Sequence, residues 1–182
     1  VQSGSNDILA KMKRNYSREE YIEIINKLLK VRPNIKISSD FIVGFPNETD
    51  FDFQQTMDLI EEVKFDASFS FIYSARPGTP ASQLEDMIPL EVKKERLYIL
   101  QKRIDKLQLD YSNDLVNTIQ RCLVTGVSKK DVNQLRARTE CNRVVNFDFQ
   151  NINILGKLVD IDITKAYQRS LTGKILNSKG VS

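Results

Sequence analysis

Two stretches of this chain repeat one design, and the repetition sets the fold class. In Ile37-Ser-Ser-Asp-Phe-Ile-Val-Gly-Phe-Pro-Asn-Glu-Thr49 an apolar run stops at Gly44, turns through Pro46 and restarts as a helix behind residues 47–50. Further on, Phe69-Ser-Phe-Ile-Tyr-Ser-Ala-Arg-Pro-Gly-Thr79 does the same, with Arg76 at the tip of the turn. A strand ending in a Gly/Pro turn presents polar atoms at its carboxyl end, where open α/β sheets and barrels hold ligands. Around these strands apolar residues recur at helical spacing. Tyr21, Ile24, Ile25, Leu28 and Leu29 follow a Ser17/Glu20 capping box, and Phe53, Met57, Ile60 and Val63 mark a further helix. Strands over 35–43 and 65–73 therefore alternate with helices, which predicts a parallel sheet with right-handed crossovers. So few units cannot close an eight-stranded barrel, so the α/β architecture is expected to be part of a larger fold. A short helix over 5–15, carrying Ile8, Leu9 and Met12, precedes them and ends in the basic Lys-Met-Lys-Arg. The opening Val1-Gln-Ser-Gly-Ser runs directly into that helix, as though a strand before it were missing, and no signal peptide is read there.

The pattern then changes. Residues 75–89 hold Pro77, Pro80 and Pro89 and read as a loop. A long helix starts near Pro89 and carries Leu97, Leu100, Ile104, Leu107, Tyr111 and Leu115 as an apolar seam linking two modules. From Ile119 the period falls towards two. Short strand candidates at 119–127, 135–139, 144–147, 158–163 and 170–176 predict a small all-β, antiparallel, OB-like barrel. Charge divides at the same place. Residues 119–182 hold eleven Lys/Arg against five Asp/Glu, a net of +6, while the first 118 hold sixteen against nineteen, a net of −3. The chain is accordingly read as two domains, 1–111 and 112–177, the second meeting a polyanion.

Composition removes some chemistry. There is no histidine, and so neither the commonest general base nor the commonest metal ligand. Cys122 and Cys141 lie nineteen positions apart, and two thiols hold neither a four-thiolate cluster nor a structural zinc. Cys122 falls in a strand-like run and is read as a buried hydrophobe, Cys141 as part of a polar turn. No metal ligand and no catalytic residue is assigned. No apolar run approaches the roughly 18–20 residues of a membrane span, and nothing points to an oxidising compartment, so a cytoplasmic monomer is expected.

The order and spacing of several short motifs resemble a known family. Val1-Gln-Ser-Gly-Ser, Met12-Lys-Arg14, Asp40-Phe-Ile-Val-Gly-Phe-Pro-Asn-Glu-Thr49, Phe71-Ile-Tyr-Ser-Ala-Arg-Pro-Gly-Thr79 and Glu91-Val-Lys-Lys-Glu-Arg-Leu97 resemble the second half of a radical S-adenosylmethionine methylthiotransferase. Arg138-Thr-Glu-Cys-Asn-Arg-Val-Val-Asn-Phe147, Gly156-Lys-Leu-Val-Asp160 and Ser170-Leu-Thr-Gly-Lys174 look like the TRAM domain that ends these enzymes. The resemblance implies an α/β fold that is the C-terminal part of a radical-SAM (β/α) partial barrel followed by the small all-β barrel, with S-adenosylmethionine and two 4Fe-4S clusters as cofactors. It also implies a tRNA partner bound at the anticodon stem-loop, where an isopentenylated adenosine is converted to its 2-methylthio form. No cysteine precedes Cys122, so the cluster ligands of the family are absent from this chain, and it is read as a C-terminal part that is inactive by itself. A methylthiotransferase acting on another tRNA base and a non-catalytic RNA-binding module are the alternatives. A CxxxCxxC motif upstream would mark the enzyme.

The resemblance also suggests site residues. Gln2, Ser3, Ser38 and Asp40 lie at expected strand ends or turns, where they would meet the ribose diol and amino-acid head of the cofactor. An ionised Asp accepts from both ribose hydroxyls. Gly44, Phe45 and Pro46 would let the backbone approach the adenine. Read from the residues alone, Asp40 caps a turn and Gly44 ends a strand; the resemblance favours the ligand. Arg76 is either a solvated loop charge or a substrate or cofactor contact. In the second domain Arg121, Lys129, Lys130, Arg136, Arg138, Arg143 and Lys157 surround the barrel with Phe149 and Tyr167, a set suited to phosphates and unpaired bases, while Phe147 is assigned to the core.

Overall fold

In the computed structural model, which describes residues 1–129, 131–148 and 152–176, the chain divides into two compact units, Val1–Leu107 and Gln108–Ser182. The division falls a few residues before the 111/112 boundary expected from sequence.

The first unit is built around two parallel strands, β1 (Ser38–Val43) and β2 (Ala67–Ile72), paired from Ser38↔Ala67 to Val43↔Ile72. The chain start adds a further rung on the other side of β1, where Ile42 N–H donates to the Gln2 carbonyl at 3.0 Å. Helix α1 (Asn6–Lys11) is shorter than expected. Met12 is its C-cap and Lys13 takes φ +58°, a left-handed conformation that ends the helix. Helix α2 (Arg18–Val31) begins with the expected capping box at Ser17 and Glu20. Its buried face is not the expected stripe. Ile25 is buried, with Tyr21, Ile22 and Leu29 half-buried beside it, whereas Ile24 and Leu28 are exposed. Helix α3 (Asp50–Val63) has a second capping box, between Thr49 and Asp52.

Alternation along β1 turns Phe41 and Val43 into the core with Leu59, Ile60, Phe65, Leu100, Ile104 and Leu107. The Phe41 ring meets Phe65 edge-on at 5.2 Å. The opposite face of the sheet carries Asp40 in register with Phe69 and Ile42 with Phe71, and both phenylalanines are exposed. Helix α4 (Leu90–Asn113) supplies Leu100, Ile104 and Leu107 to the core as its seam predicts.

The second unit is a closed five-stranded barrel in the order β3-β4-β5-β7-β6: β3 (Ile119–Val127), β4 (Gln134–Thr139), β5 (Val144–Asp148), β6 (Leu158–Tyr167) and β7 (Ser170–Ile175). All neighbours are antiparallel except β5 and β7. The sequence pattern predicts an antiparallel OB-like barrel; the ring is OB-like, but β5 and β7 close it with one parallel pair. Inward residues alternate along every strand, so Cys122, Val124, Leu135, Ala137, Val145, Phe147, Ile161, Ile163 and Leu171 fill the interior. Cys122 and Phe147 are core residues, as the sequence suggested. Gly173 is required by that packing, since a Cβ there would lie 2.4 Å from Ile161 Cγ2.

Candidate functional site: a strand-end cleft and an arginine face

The ends of β1 and β2 open into a cleft of about 650 Å³. Its floor is Ile42, Phe45, Phe71 and Tyr73. Residues 11–14 at the end of α1 form one wall, and Arg76 with residues 79–81 forms the other. The cleft thus sits where the repeated strand-turn design placed it. Phe45 is 2% exposed and meets Tyr73 edge-on at 4.9 Å. The Tyr73 hydroxyl is buried without a hydrogen-bond partner among the described residues.

The turn after β1 is held by charges that the sequence pattern did not single out. Gly44 and Asn47 take φ +67° and +63°, and Glu48 folds back so that its Oε1 accepts from Gly44 N–H at 3.1 Å. Arg96 of α4 donates to the same Oε1 at 2.8 Å, to the Glu48 carbonyl at 3.0 Å and to Asp50 Oδ1 at 2.7 Å. Glu48 and Arg96 are 4% and 6% exposed, so this is a buried ion pair. Burial pushes the Glu48 carboxyl above its usual range, opposed by the Gly44 N–H and by Arg96. Lys93, also buried, lays its stem under Gly44 and reaches Asp86 with its ammonium group. The signal was present in the sequence. Extended backwards by threes and fours from Leu100, the α4 seam falls on Arg96 and Lys93, two cations on a buried stripe.

Of the cofactor-edge residues expected from sequence, the structure gathers only some. Phe45 lies in the cleft and Pro46 is buried in the turn. Ser38 and Asp40 are exposed on the open face of the sheet, below the cleft. Gln2 is half-buried and accepts from the Tyr16 hydroxyl at 3.0 Å. Ser3 does not face this side. It is buried, with its hydroxyl 3.2 Å from Thr56 Oγ1 and accepting from Ser5 N–H at 3.1 Å, so its polar atoms are used in holding α1 to α3. The reason given for Gly44 also changes. The space a side chain would occupy is taken by Lys93 Cγ at 2.5 Å, so the glycine admits the lysine stem and the positive φ.

Around the barrel, Arg121, Leu123, Arg136 and Arg138 share the outer face of β3 and β4, with Leu123 in register with Arg138 and Arg121 with Asp160. Arg121 and Arg138 are exposed and Arg136 is half-buried. Arg136 donates to Thr125 Oγ1 at 3.3 Å, and Arg138 to the Asn142 carbonyl at 2.9 Å. Lys129 is exposed on the following turn. Lys165 sits over the exposed Tyr167 ring at 4.9 Å. Lys130 and Phe149 lie outside the described residues. Arg143 is placed differently from this set. It is 9% exposed and donates to Ser112 Oγ at 3.0 Å, Cys141 Sγ at 3.3 Å and the Gln108 carbonyl at 3.4 Å, so it fastens the end of α4 to the barrel.

No group of three or more His, Cys, Asp or Glu among the described residues is placed to hold a metal. Cys122 is sealed in the barrel, where burial pushes its thiol up to about 11. These donors do not fit an iron–sulfur cluster. No helix of the described residues is long and apolar enough to cross a membrane.

Comparison with known proteins identifies what the two units resemble. Residues 1–60 match the Radical SAM superfamily and residues 114–176 match the TRAM domain. The chain joins a radical SAM segment to a TRAM domain. Similar curated proteins are the tRNA-2-methylthio-N(6)-dimethylallyladenosine synthases of Alcanivorax borkumensis, 57% identical over 95% of this chain, and of Histophilus somni, 56% identical over 98%. That of Marinomonas sp. is 53% identical over 98%. The chain spans 38–40% of the length of these relatives. The radical SAM match takes in the cleft residues 11–14, 42 and 45 but not those at 71–81, and the arginine face falls within the TRAM match.

Proposed function

We propose that this chain is the C-terminal part of a cytoplasmic, monomeric tRNA methylthiotransferase, which converts N6-(dimethylallyl)adenosine beside the anticodon to its 2-methylthio form. The observation that carries the reading is identity of 53–57% running through both units, because neither unit's motifs alone would join a radical SAM edge to an RNA-binding barrel. S-adenosylmethionine and 4Fe-4S clusters supply the radical and sulfur chemistry in the complete protein. The cluster ligands are not among this chain's cysteines.

What this chain contributes is binding. Asp40 and Ser38, exposed on the open sheet face, offer acceptors to the ribose hydroxyls of the cofactor, and an ionised Asp40 suits its positive charge. Gln2, Phe45 and Pro46 shape the neighbouring edge. On the TRAM domain, Arg121, Lys129, Arg136 and Arg138 neutralise phosphates of the anticodon stem-loop, with the exposed Leu123 beside them. The test is to reconstitute the complete protein anaerobically and supply tRNA bearing the isopentenylated adenosine. Nucleoside mass spectrometry is expected to find the 2-methylthio product. Unmodified tRNA after S-adenosylmethionine has been cleaved would sink the proposed substrate, and the 182-residue chain alone is expected to cleave none.

A further inference from the structure

Residues 74–88 lie between β2 and α4 and carry the Arg76 wall of the cleft. Their hydrogen bonds run almost wholly within the segment. Thr79 donates to the Arg76 carbonyl from both N–H and Oγ1, and Ser82 donates in the same way to the Thr79 carbonyl. Leu84 N–H donates to the Ala81 carbonyl and Ile88 N–H to Asp86 Oδ1. Leu84 and Met87 are exposed, so apolar burial adds little to hold the segment in place. The rim cations do not fasten it either. Of Lys11, Lys13, Arg14 and Arg76, only Lys11 forms a salt bridge among the described residues, to Asp7. Among those residues a single hydrogen bond joins 74–88 to the remainder of the first unit, from Lys93 Nζ to Asp86 Oδ2.

A charge at position 93 is unfavourable on two counts. Lys93 is 6% exposed, and it lies in the first turn of α4, where the helix dipole disfavours a cation. Stability alone does not call for it, because apolar side chains of like volume commonly replace a buried ion pair without loss. The stem by itself would fill the space beside Gly44, where a Cβ would lie 2.5 Å from Lys93 Cγ. What the ammonium adds is a fixed relation between two places. One is the turn of residues 44–46, assigned to the cofactor edge, and the other is the loop that carries the cleft wall.

We propose that Lys93 and Asp86 are a positioning pair for the methylthiolation, which sets the wall of residues 76–81 against the Gly44–Pro46 edge so that each cleavage of S-adenosylmethionine yields product. Neither residue lines the cleft; each acts through the segment it holds. The proposal rests on the reading that the complete protein is a methylthiotransferase.

The experiment compares the parent with Lys93→Met, Asp86→Asn and Asp86→Glu. Lys93→Met keeps a stem beside Gly44 and removes the ammonium, Asp86→Asn removes the carboxylate at the other end, and Asp86→Glu retains it. In the 182-residue chain, hydrogen exchange read by mass spectrometry is expected to be roughly tenfold faster over residues 74–88 in the first two variants. Exchange in the remainder of the first unit and the melting temperature should stay as in the parent. In the complete protein, the same two variants should form roughly tenfold more 5′-deoxyadenosine per 2-methylthio product, with KM for S-adenosylmethionine within about twofold of the parent. Asp86→Glu should stay close to the parent in both assays. Unchanged exchange over 74–88, or an unchanged ratio of 5′-deoxyadenosine to product, overturns the pair. So does a variant in which melting temperature, protection throughout the unit and every rate fall together, which is the behaviour of a structural contact alone. A parent that cleaves S-adenosylmethionine but makes no 2-methylthio product refutes the proposed reaction instead, and the pair then stands or falls on the exchange comparison. Should Lys93→Met misfold, Asp86→Asn, at an exposed position, decides by the same readings.

Discussion

Arg96→Met should be strongly damaging to the first unit. The arginine is 6% exposed and makes three hydrogen bonds to the turn of residues 48–50. Only part of this counts. The Asp50 side chain is 98% exposed, so that arm contributes no more than about 1 kcal/mol. The Glu48 arm is different, because removing the guanidinium leaves a carboxylate buried with only the Gly44 N–H for company. Breaking a buried pair from one side costs about 3–5 kcal/mol. The double variant Glu48→Met/Arg96→Met removes both charges and should cost only about 1–2 kcal/mol, chiefly for the orphaned Gly44 N–H. The signature is therefore a double variant more stable than the Arg96→Met single. Urea unfolding followed by far-UV circular dichroism of the helices reads it, with the β-barrel's own transition as internal reference. A pH series tests the same pair from another side. A carboxyl whose folded value is raised contributes stability that is present below its ordinary range and lost as pH rises through the folded value. Without Arg96 that behaviour should be exaggerated, so the Arg96→Met deficit should shrink towards about pH 4.5. A single variant within about 1 kcal/mol of the parent, or strict additivity in the double, would refute the ion pair as the turn's anchor.

Other outcomes follow from particular interactions. Arg143→Ala should destabilise the barrel by about 2 kcal/mol, since its donors to Ser112, Cys141 and Gln108 have no replacement, while Arg138→Ala should leave the barrel's melting unchanged. Equal melting temperatures for the two variants would count against that distinction. Cys122 should react with a maleimide at mildly alkaline pH only as fast as the barrel opens, because its thiol is buried and pushed up to about 11, and rapid native-state labelling of both cysteines would contradict this. Burial works to raise the Asp52 carboxyl, but the Ser5 and Thr49 hydrogen bonds outweigh it and hold it below its usual range. Its stabilisation is therefore present above the ordinary carboxylate range and lost as pH falls through the depressed value. Asp52→Ala should cost about 2 kcal/mol at neutral pH and less in acid, and an acid limb identical to the parent's would refute the assignment.

The apolar pattern made the scaffold legible. Alternation at two residues located all five barrel strands, and Ser17/Glu20 located the start of α2. The strand-turn repeat placed the cleft, because a Gly/Pro stop after an apolar run marks where a parallel strand ends. What the sequence could not convey was which polar residues are consumed by the fold. Ser3 and Arg143 read as surface chemistry and are buried fasteners, since a linear pattern does not reveal that Thr56 or Ser112 waits opposite them. Glu48 and Arg96 escaped notice for the converse reason. A charged side chain is ordinarily exposed, and only a partner brought from 48 positions away makes burial tolerable. Ile24 and Leu28 on α2 belong to the core by period alone, while the actual face is rotated towards Ile22 and Ile25.

Lys93 gives the cleft a property that its outline alone does not suggest. The stem of this lysine fills the space a side chain at Gly44 would take, and its ammonium group holds Asp86 on the segment that follows the Arg76 wall. Two chain segments that are remote in sequence are thus moored to a single side chain. Positions 44, 86 and 93, next to the lining in sequence or support but not part of it, cannot drift piecemeal under mutation: a bulkier residue at 44 displaces the stem, and the displaced stem releases the distant loop. Residues 44, 86 and 93 should therefore vary as a set among functional sequences, while the rim cations, whose one salt bridge among the described residues is to Asp7, remain free to be retuned one at a time.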